Sequence, residues 1–190
     1  MRFVSFLHEG HTGVGLLRDG RVLDLGAAAP GGLKGLIALG SLAGVAETPP
    51  PGRLLEPGAL TFLPVIPDPD KIFCIGLNYD EHRREVNARP REKPTVLTRF
   101  AATQIGHRQA AWQPALSREF DYEGELAVVI GRGGRYIPQE RALEHVAGYS
   151  CYNDFSVRDW QRHTTQFTPG KNFPRSGGFG PWLVTADEIP

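Results

Sequence analysis

A strand-rich α+β fold is predicted, with a small N-terminal domain over residues 1–66 and a main domain over residues 67–190. Three observations predict it. Glycine and proline number 23 and 16 among 190 residues, which implies many turns and argues against a helical bundle. The first 25 residues alternate and turn, and Asp19-Gly20 carries a hairpin signal. Two apolar runs, Lys71–Gly76 and Glu123–Ile130, have the length and composition of buried strands.

Taken in order, Arg2–Phe6, Gly13–Leu17 and Arg21–Leu25 predict a small antiparallel meander. Residues 32–46 hold a short helix, despite frequent glycine. Pro49-Pro50-Pro51 marks a linker. Pro64, Pro67 and Pro69 place the boundary of the main domain. That domain opens with the strand Lys71–Gly76. A helix over Asp80–Val86 follows, then strands at Thr95–Phe100 and Glu123–Ile130. Gln139–Val146 reads as helical and Gly148–Asn153 as a strand. Ser156–His163 reads as a helix with Ser156 as N-cap, and Trp182–Thr185 as a last strand. The apolar stretch Leu126–Ile130 implies that its strand is covered on both faces. The sequence stops just after that last strand, which suggests a fragment or a shortened chain.

Composition excludes some functions. Twenty-one basic residues balance twenty-one acidic ones, which argues against nucleic acid or an anionic membrane recognised by bulk charge. No apolar stretch is long enough to span a bilayer, and the N-terminus lacks a signal-peptide core. A cytoplasmic location is expected. Cys74 and Cys151 are isolated among apolar or aromatic residues and read as small buried hydrophobes.

The chemistry gathers around carboxylates. Glu123 and Glu125 stand two apart, so on a strand they share a face. Two like charges at a core edge are costly unless a cation lies between them. With Asp154 they suggest a hard divalent ion, Mg²⁺ or Mn²⁺, with Ca²⁺ as the alternative. An exposed strand face for the glutamates and a turn role for Asp154 remain open. His82 and Glu85, three apart on a predicted helix, share a face. They make a general-base candidate, or else part of a charged surface helix with Asp80, Glu81, Arg83 and Arg84. Lys171, in Gly170-Lys171-Asn172-Phe173, suits stabilisation of a developing enolate, or is a solvated loop lysine. Arg158, Asp159, Gln161, Arg162 and His163 include candidate substrate contacts, although helix-face charge explains most of them.

In this order, the residues resemble the fumarylacetoacetate hydrolase family. The resemblance rests on Gly76-Leu77-Asn78-Tyr79 with His82 and Glu85, on Phe120–Leu126, and on Gly148-Tyr149. It continues through Asn153-Asp154, Ser156, Arg158-Asp159, Gln161 and Gly170–Phe173. It implies a β-roll or sandwich-like catalytic domain behind a small N-terminal one, with the family's C-terminal strands missing. It also implies Mg²⁺ or Mn²⁺ on Glu123, Glu125 and Asp154, a water-activating pair in His82 and Glu85, and Lys171 and Gln161 at the substrate or oxyanion. Arg99 stands where members often place a substrate-facing lysine. Pro174–Gly178 replaces the Asp-Thr that follows Asn-Phe in many members.

The expected activity is metal-dependent hydrolysis of a C–C bond in a small acylpyruvate-like β-diketo acid, in oxo-acid or aromatic catabolism. Decarboxylation, hydration or isomerisation on the same metal site is the enzymatic alternative. A non-catalytic metal-binding or interaction copy is the alternative of another class. The expected partners are a small oxo-acid and a second copy in a homodimer, with no nucleic acid and no membrane.

Overall fold

The computed structural model describes residues 1–85, 87, 89 and 92–189. The chain starts with β1 (Arg2–His8), β2 (His11–Arg18) and β3 (Arg21–Asp24). Then come α1 (Gly32–Ala38), α2 (Leu42–Glu47), β4 (Leu54–Leu55) and β5 (Thr61–Phe62). The central stretch holds β6 (Ile72–Gly76), α3 (Asp80–Glu85), β7 (Thr95–Arg99), β8 (Gln104–Ile105) and β9 (Phe120–Asp121). The rest is β10 (Gly124–Ile130), β11 (Val146–Asp154), β12 (Ser156–Val157), α4 (Arg158–Gln161), α5 (Thr168–Lys171), β13 (Gly177–Phe179) and β14 (Leu183–Thr185).

Among the described residues, one ten-stranded sheet runs β4-β3-β2-β1-β14-β11-β13-β8, with β10 on β11 and β5 on β1. β1 is buried on both faces. Phe3 joins a core with Leu16, Leu33, Leu36 and Leu183, while Val4 and Phe6 turn to a second cluster with Val22 and Leu55. The period-2 alternation of a strand sends neighbouring side chains to these opposite sides. Ser5 follows Phe3 into the interior, and its hydroxyl donates to the Val65 carbonyl at 2.8 Å. The sheet passes without a break from the first residues into the last strands, because β1 pairs with β2 on one side and β14 on the other. β6 and β7 form a separate hairpin.

Several expectations change. The helix expected over residues 32–46 is two helices, with Gly40 at φ +63° between them. Gln139–His145 forms tight 3₁₀ turns, and Val146 opens β11. The helix expected from Ser156 begins at Arg158. Ser156 is a fully buried strand residue opposite Asp121, and its hydroxyl donates to the Asp154 carbonyl at 2.9 Å, so it caps nothing. Lys171 ends a short helix instead of lying in a loop. The helix expected over Asp80–Val86 is present through Glu85, and Val86 lies outside the described residues.

β10 is not covered on both faces. Leu126, Val128 and Ile130 are 62%, 48% and 60% exposed, whereas Val129 on the opposite face is buried. The physical reason is position: β10 pairs with β11 alone among the described residues, and nothing there packs on its outward face. Among the described residues, no helix is long and apolar enough to cross a membrane.

Candidate active site

The end of β11 and the start of β10 bring the predicted carboxylates together. Gly124 faces Asn153 and Glu125 faces Tyr152 in the register. The Asp154 amide donates to the Glu123 carbonyl at 2.9 Å, and the Glu123 amide donates to the Asn153 side chain at 3.1 Å. These backbone ties fix Glu123 opposite Asp154. Asp154 is buried, and Glu123 and Glu125 are half-buried.

Lys171 enters from α5. Its ammonium donates to Glu123 Oε2 at 2.5 Å and to Asp154 Oδ2 at 2.8 Å, with 3% of the side chain exposed. Two neighbours hold its backbone. The Asn172 amide group donates to the Thr98 and Thr168 carbonyls, and its oxygen accepts from the Phe100 amide at 2.8 Å. Gly170 packs so tightly on α4 that a Cβ there would stand 2.5 Å from the Gln161 nitrogen.

Two arginines complete the cluster. Arg158 donates from Nη1 to Glu123 Oε1 at 2.5 Å and to Gln161 Oε1 at 2.9 Å, and from Nη2 to Asp121 Oδ2 at 2.7 Å. Arg99, expected to face substrate, turns inward. It pairs with Asp154, donates to the Ser176 hydroxyl at 2.7 Å and lies near the Tyr152 ring, fully shielded from solvent. The physical reason is alternation on β7, which places Leu97 and Arg99 on the buried side and Val96 and Thr98 on the open one. Acid and base therefore alternate from Asp121 through Arg158, Glu123, Lys171 and Asp154 to Arg99.

This arrangement sets the charges. Burial pushes the Glu123 carboxyl up, but Lys171 and Arg158 together pull it below its ordinary value. Glu125 moves the other way. Burial raises it, a hydrogen bond from Tyr79 opposes, and Glu123 and Asp154 add to the rise. Glu125 is thus the carboxylate whose charge is least compensated. Burial, helped by Asp154, lifts the nearby Cys74 thiol to about 12, so it stays protonated and unreactive at neutral pH.

In kind, the donors suit a hard divalent cation, because Glu123, Glu125 and Asp154 are near enough to feel one another's charge and Glu125 is short of positive charge. In place, the position between Glu123 and Asp154 is held by Lys171. Among the described residues no group of three acidic, imidazole or thiol side chains is arranged to hold a metal. His82 Nδ1 lies 3.3 Å from Glu85 Oε2 on α3, with His82 half-buried and Glu85 exposed.

The family model described as fumarylacetoacetate (FAA) hydrolase C-terminal matches residues 71–190. The chain belongs to the fumarylacetoacetate hydrolase family. It is 36% identical over 203 residues to oxaloacetate tautomerase FAHD2A, mitochondrial, of Bos taurus, with all of this chain matching 64% of that protein. The solved fumarylacetoacetate hydrolase from psychrophilic Exiguobacterium antarcticum superposes with a TM-score of 0.85 at 30% identity, over all of this chain and 68% of that one. The 5-carboxymethyl-2-hydroxymuconate delta-isomerase of Mycobacterium smegmatis does so with a TM-score of 0.76 at 26% identity, over 98% and 67%. The chain thus spans about two-thirds of these family members' lengths. The fold is the strand-rich α+β fold of the family.

Within that fold the six residues Lys171, Glu123, Glu125, Asp154, Arg99 and Gln161 stand in or beside one charged cluster, with His82 and Glu85 at its side. Sequence reasoning missed the bridging part played by Arg158, and the contributions of Asp121, Tyr79 and Ser176. Its only signal was the acid-rich Phe120–Glu125 run, since the acidic partners of Arg158 lie 35 and 37 residues away.

Proposed function

We propose that the chain is the metal-binding part of an enzyme that forms or collapses the enol of a small 2-oxo acid, and that keto–enol tautomerisation of a 2-oxo dicarboxylate suits it best. The observation that carries this reading is the buried Lys171 ammonium, held between Glu123 and Asp154. Tautomerisation requires a donor for the enolate oxygen and a route for one proton, and asks for no attacking water. The resemblance to a protein named oxaloacetate tautomerase over the whole chain supports the same choice.

Glu123, Glu125 and Asp154 would hold Mg²⁺ or Mn²⁺. The ion would act as a Lewis acid on the oxo and carboxylate oxygens of the substrate, making the adjacent C–H easier to ionise. Lys171 donates to the oxygen that gains charge. Arg158 fixes Gln161 by donating to its side-chain oxygen, which leaves the Gln161 amide group to donate to substrate. Arg99, shielded from solvent, holds Asp154 in place.

Hydrolysis of a C–C bond in an acylpyruvate is the second reading, and the His82–Glu85 contact favours it. That chemistry needs a base for water in addition to the enolate site, and Glu85 is placed to orient the imidazole. Pairing of two copies, with the open face of β10 inside the contact, belongs to either reading.

The test uses the purified protein with Mn²⁺. Loss of the ultraviolet absorbance of enol-oxaloacetate should be accelerated, and Lys171→Met should lower kcat by about 10²–10³-fold, as for loss of an oxyanion donor. Equal rates in the two proteins would sink the assignment. Product analysis with acylpyruvates separates the readings: cleavage that His82→Asn abolishes, without loss of tautomerisation, establishes the hydrolase. Tight Mn²⁺ binding with no turnover of either substrate would instead indicate a metal-binding copy without catalysis.

A further inference from the structure

We propose that the loop joining β10 to β11 binds a small phosphate monoester, at a site separate from the charged cluster. The inference does not rest on the function proposed above. The cluster lies where Gly124 faces Asn153, and the loop lies where Ile130 faces Val146, at the other end of the same hairpin. Six residue steps along β10 put about 20 Å between the two ends.

The loop encloses a cavity of about 300 Å³, lined by Arg132, Arg135, Tyr136, Arg141 and His145 around the Gly133-Gly134 turn. Its frame is tied together. The Gly131 and Arg132 amides both donate to the His145 carbonyl, at 2.8 and 3.2 Å, and His145 Nδ1 donates back to the Arg132 carbonyl at 2.8 Å. The turn lies flat on this frame, because a Cβ at Gly134 would stand 2.8 Å from Ile137 Cδ1 and 2.9 Å from His145 Cε1.

Three arginines meet there with little to neutralise them. Glu144 takes Arg141 in a two-pronged contact, and both side chains are about half exposed, so the pair is weak and Arg141 is free to share itself with a ligand. Among the described residues, no acid bridges Arg132 or Arg135. The amides of Gly133, Gly134 and Tyr136 also find no acceptor among the described residues, which leaves further donors for an anion. Arginine's planar fork matches phosphoryl oxygens, and a dianion answers two unpaired guanidinium groups where a single carboxylate answers one.

Tyr136 identifies the rest of the ligand. Its ring is 93% exposed, and its backbone is held at φ +55°, an unfavourable region for a bulky residue. Arg135 lies over the ring at 5.9 Å, which sets guanidinium and ring side by side. A monoester places its phosphoryl group on the arginines and its organic part, best a flat ring, on the tyrosine.

The test titrates the full chain in metal-free buffer with phenyl phosphate, inorganic phosphate and benzoate, followed by calorimetry. Phenyl phosphate should bind at least about fivefold more tightly than inorganic phosphate, as a ring contact provides, and Tyr136→Ala should erase the difference. Arg132→Gln and Arg135→Gln should each weaken phenyl phosphate binding at least about tenfold, as for loss of a hydrogen bond to a charged group. Arg53→Gln, which alters an exposed pair with Glu9, should change it by less than about twofold. Phenylglyoxal footprinting reads the unaltered protein and decides if a variant fails to fold. Phenyl phosphate at about ten times its Kd should slow modification of Arg132 and Arg135 at least about fivefold relative to Arg53. No saturable binding below about 10 mM, or binding that leaves Arg132 and Arg135 unprotected, overturns the site. Benzoate bound as tightly as phenyl phosphate overturns the phosphoryl assignment, and inorganic phosphate bound as tightly overturns the monoester.

Discussion

Arg99 is the clearest case of a side chain whose type was visible and whose task was not. A cation on a strand near a substrate site reads as a substrate clamp, but the alternation on β7 sends it inward to Asp154. Breaking a buried pair leaves an uncompensated charge, so Arg99→Ala should cost about 3–5 kcal/mol, measured as a lowered denaturation midpoint. Glu125 carries the opposite liability. Its folded carboxyl is raised, so the carboxylate form is penalised only in the folded state, and the cost is present above the folded value and gone below the ordinary one. In chelator, Glu125→Gln should therefore stabilise the protein at neutral pH by about 0.5 kcal/mol or less, since the group is partly open to solvent. The gain should vanish in melts near pH 4, where the glutamate of the unaltered protein is itself protonated. The same variant should weaken Mn²⁺ binding. The carboxylate set was legible because like charges two apart on an otherwise apolar strand demand an explanation. The basic members were not, because their partners are settled by packing between distant segments.

At the level of elements, strands were legible and helix starts were not. Glu123–Ile130 and Thr95–Phe100 declare themselves by apolar and β-branched composition. Ser156 misled because a serine before Arg158-Asp159 has every local mark of an N-cap. Pairing with Asp121 across β12 and β9 outweighs that preference, and the hydroxyl is used on the Asp154 carbonyl instead. The short α4 and α5 gain their order from each other, through the glycine that lets them touch. Gly170→Ala would put a methyl 2.5 Å from the Gln161 nitrogen and 2.6 Å from its Cα. Overpacking of that kind costs about 1–3 kcal/mol. Because it pushes Gln161 and Lys171 apart, kcat should fall well beyond what the drop in melting temperature explains. Normal turnover in a destabilised Gly170→Ala protein would show that the two residues do not act on one substrate.

For the whole molecule, local sequence signals could not reveal that the first strands and the last share a sheet. The β1–β14 pairing joins residues at opposite ends of the chain, such as Arg2 and Val184, and no local pattern encodes such a partner. Nor could composition show that the β10 face stays open, since an apolar run is the same letters whether covered or bare. The alternating string from Asp121 to Arg99 has one more consequence at this scale. It holds three acids and three bases within a few ångströms, inside a chain whose own net charge is zero. Opposite charges so closely interleaved cancel beyond about one Debye length, so the string itself casts almost no electric field into the surrounding water. Apart from the single charge of Glu125, an anionic metabolite meets neither a funnel nor a fence on approach and must find the mouth by nearly unguided collision. Stopped-flow capture of such an anion should therefore show a second-order rate constant that hardly changes between low and high ionic strength, and a steep salt dependence would mean that charges elsewhere guide the encounter.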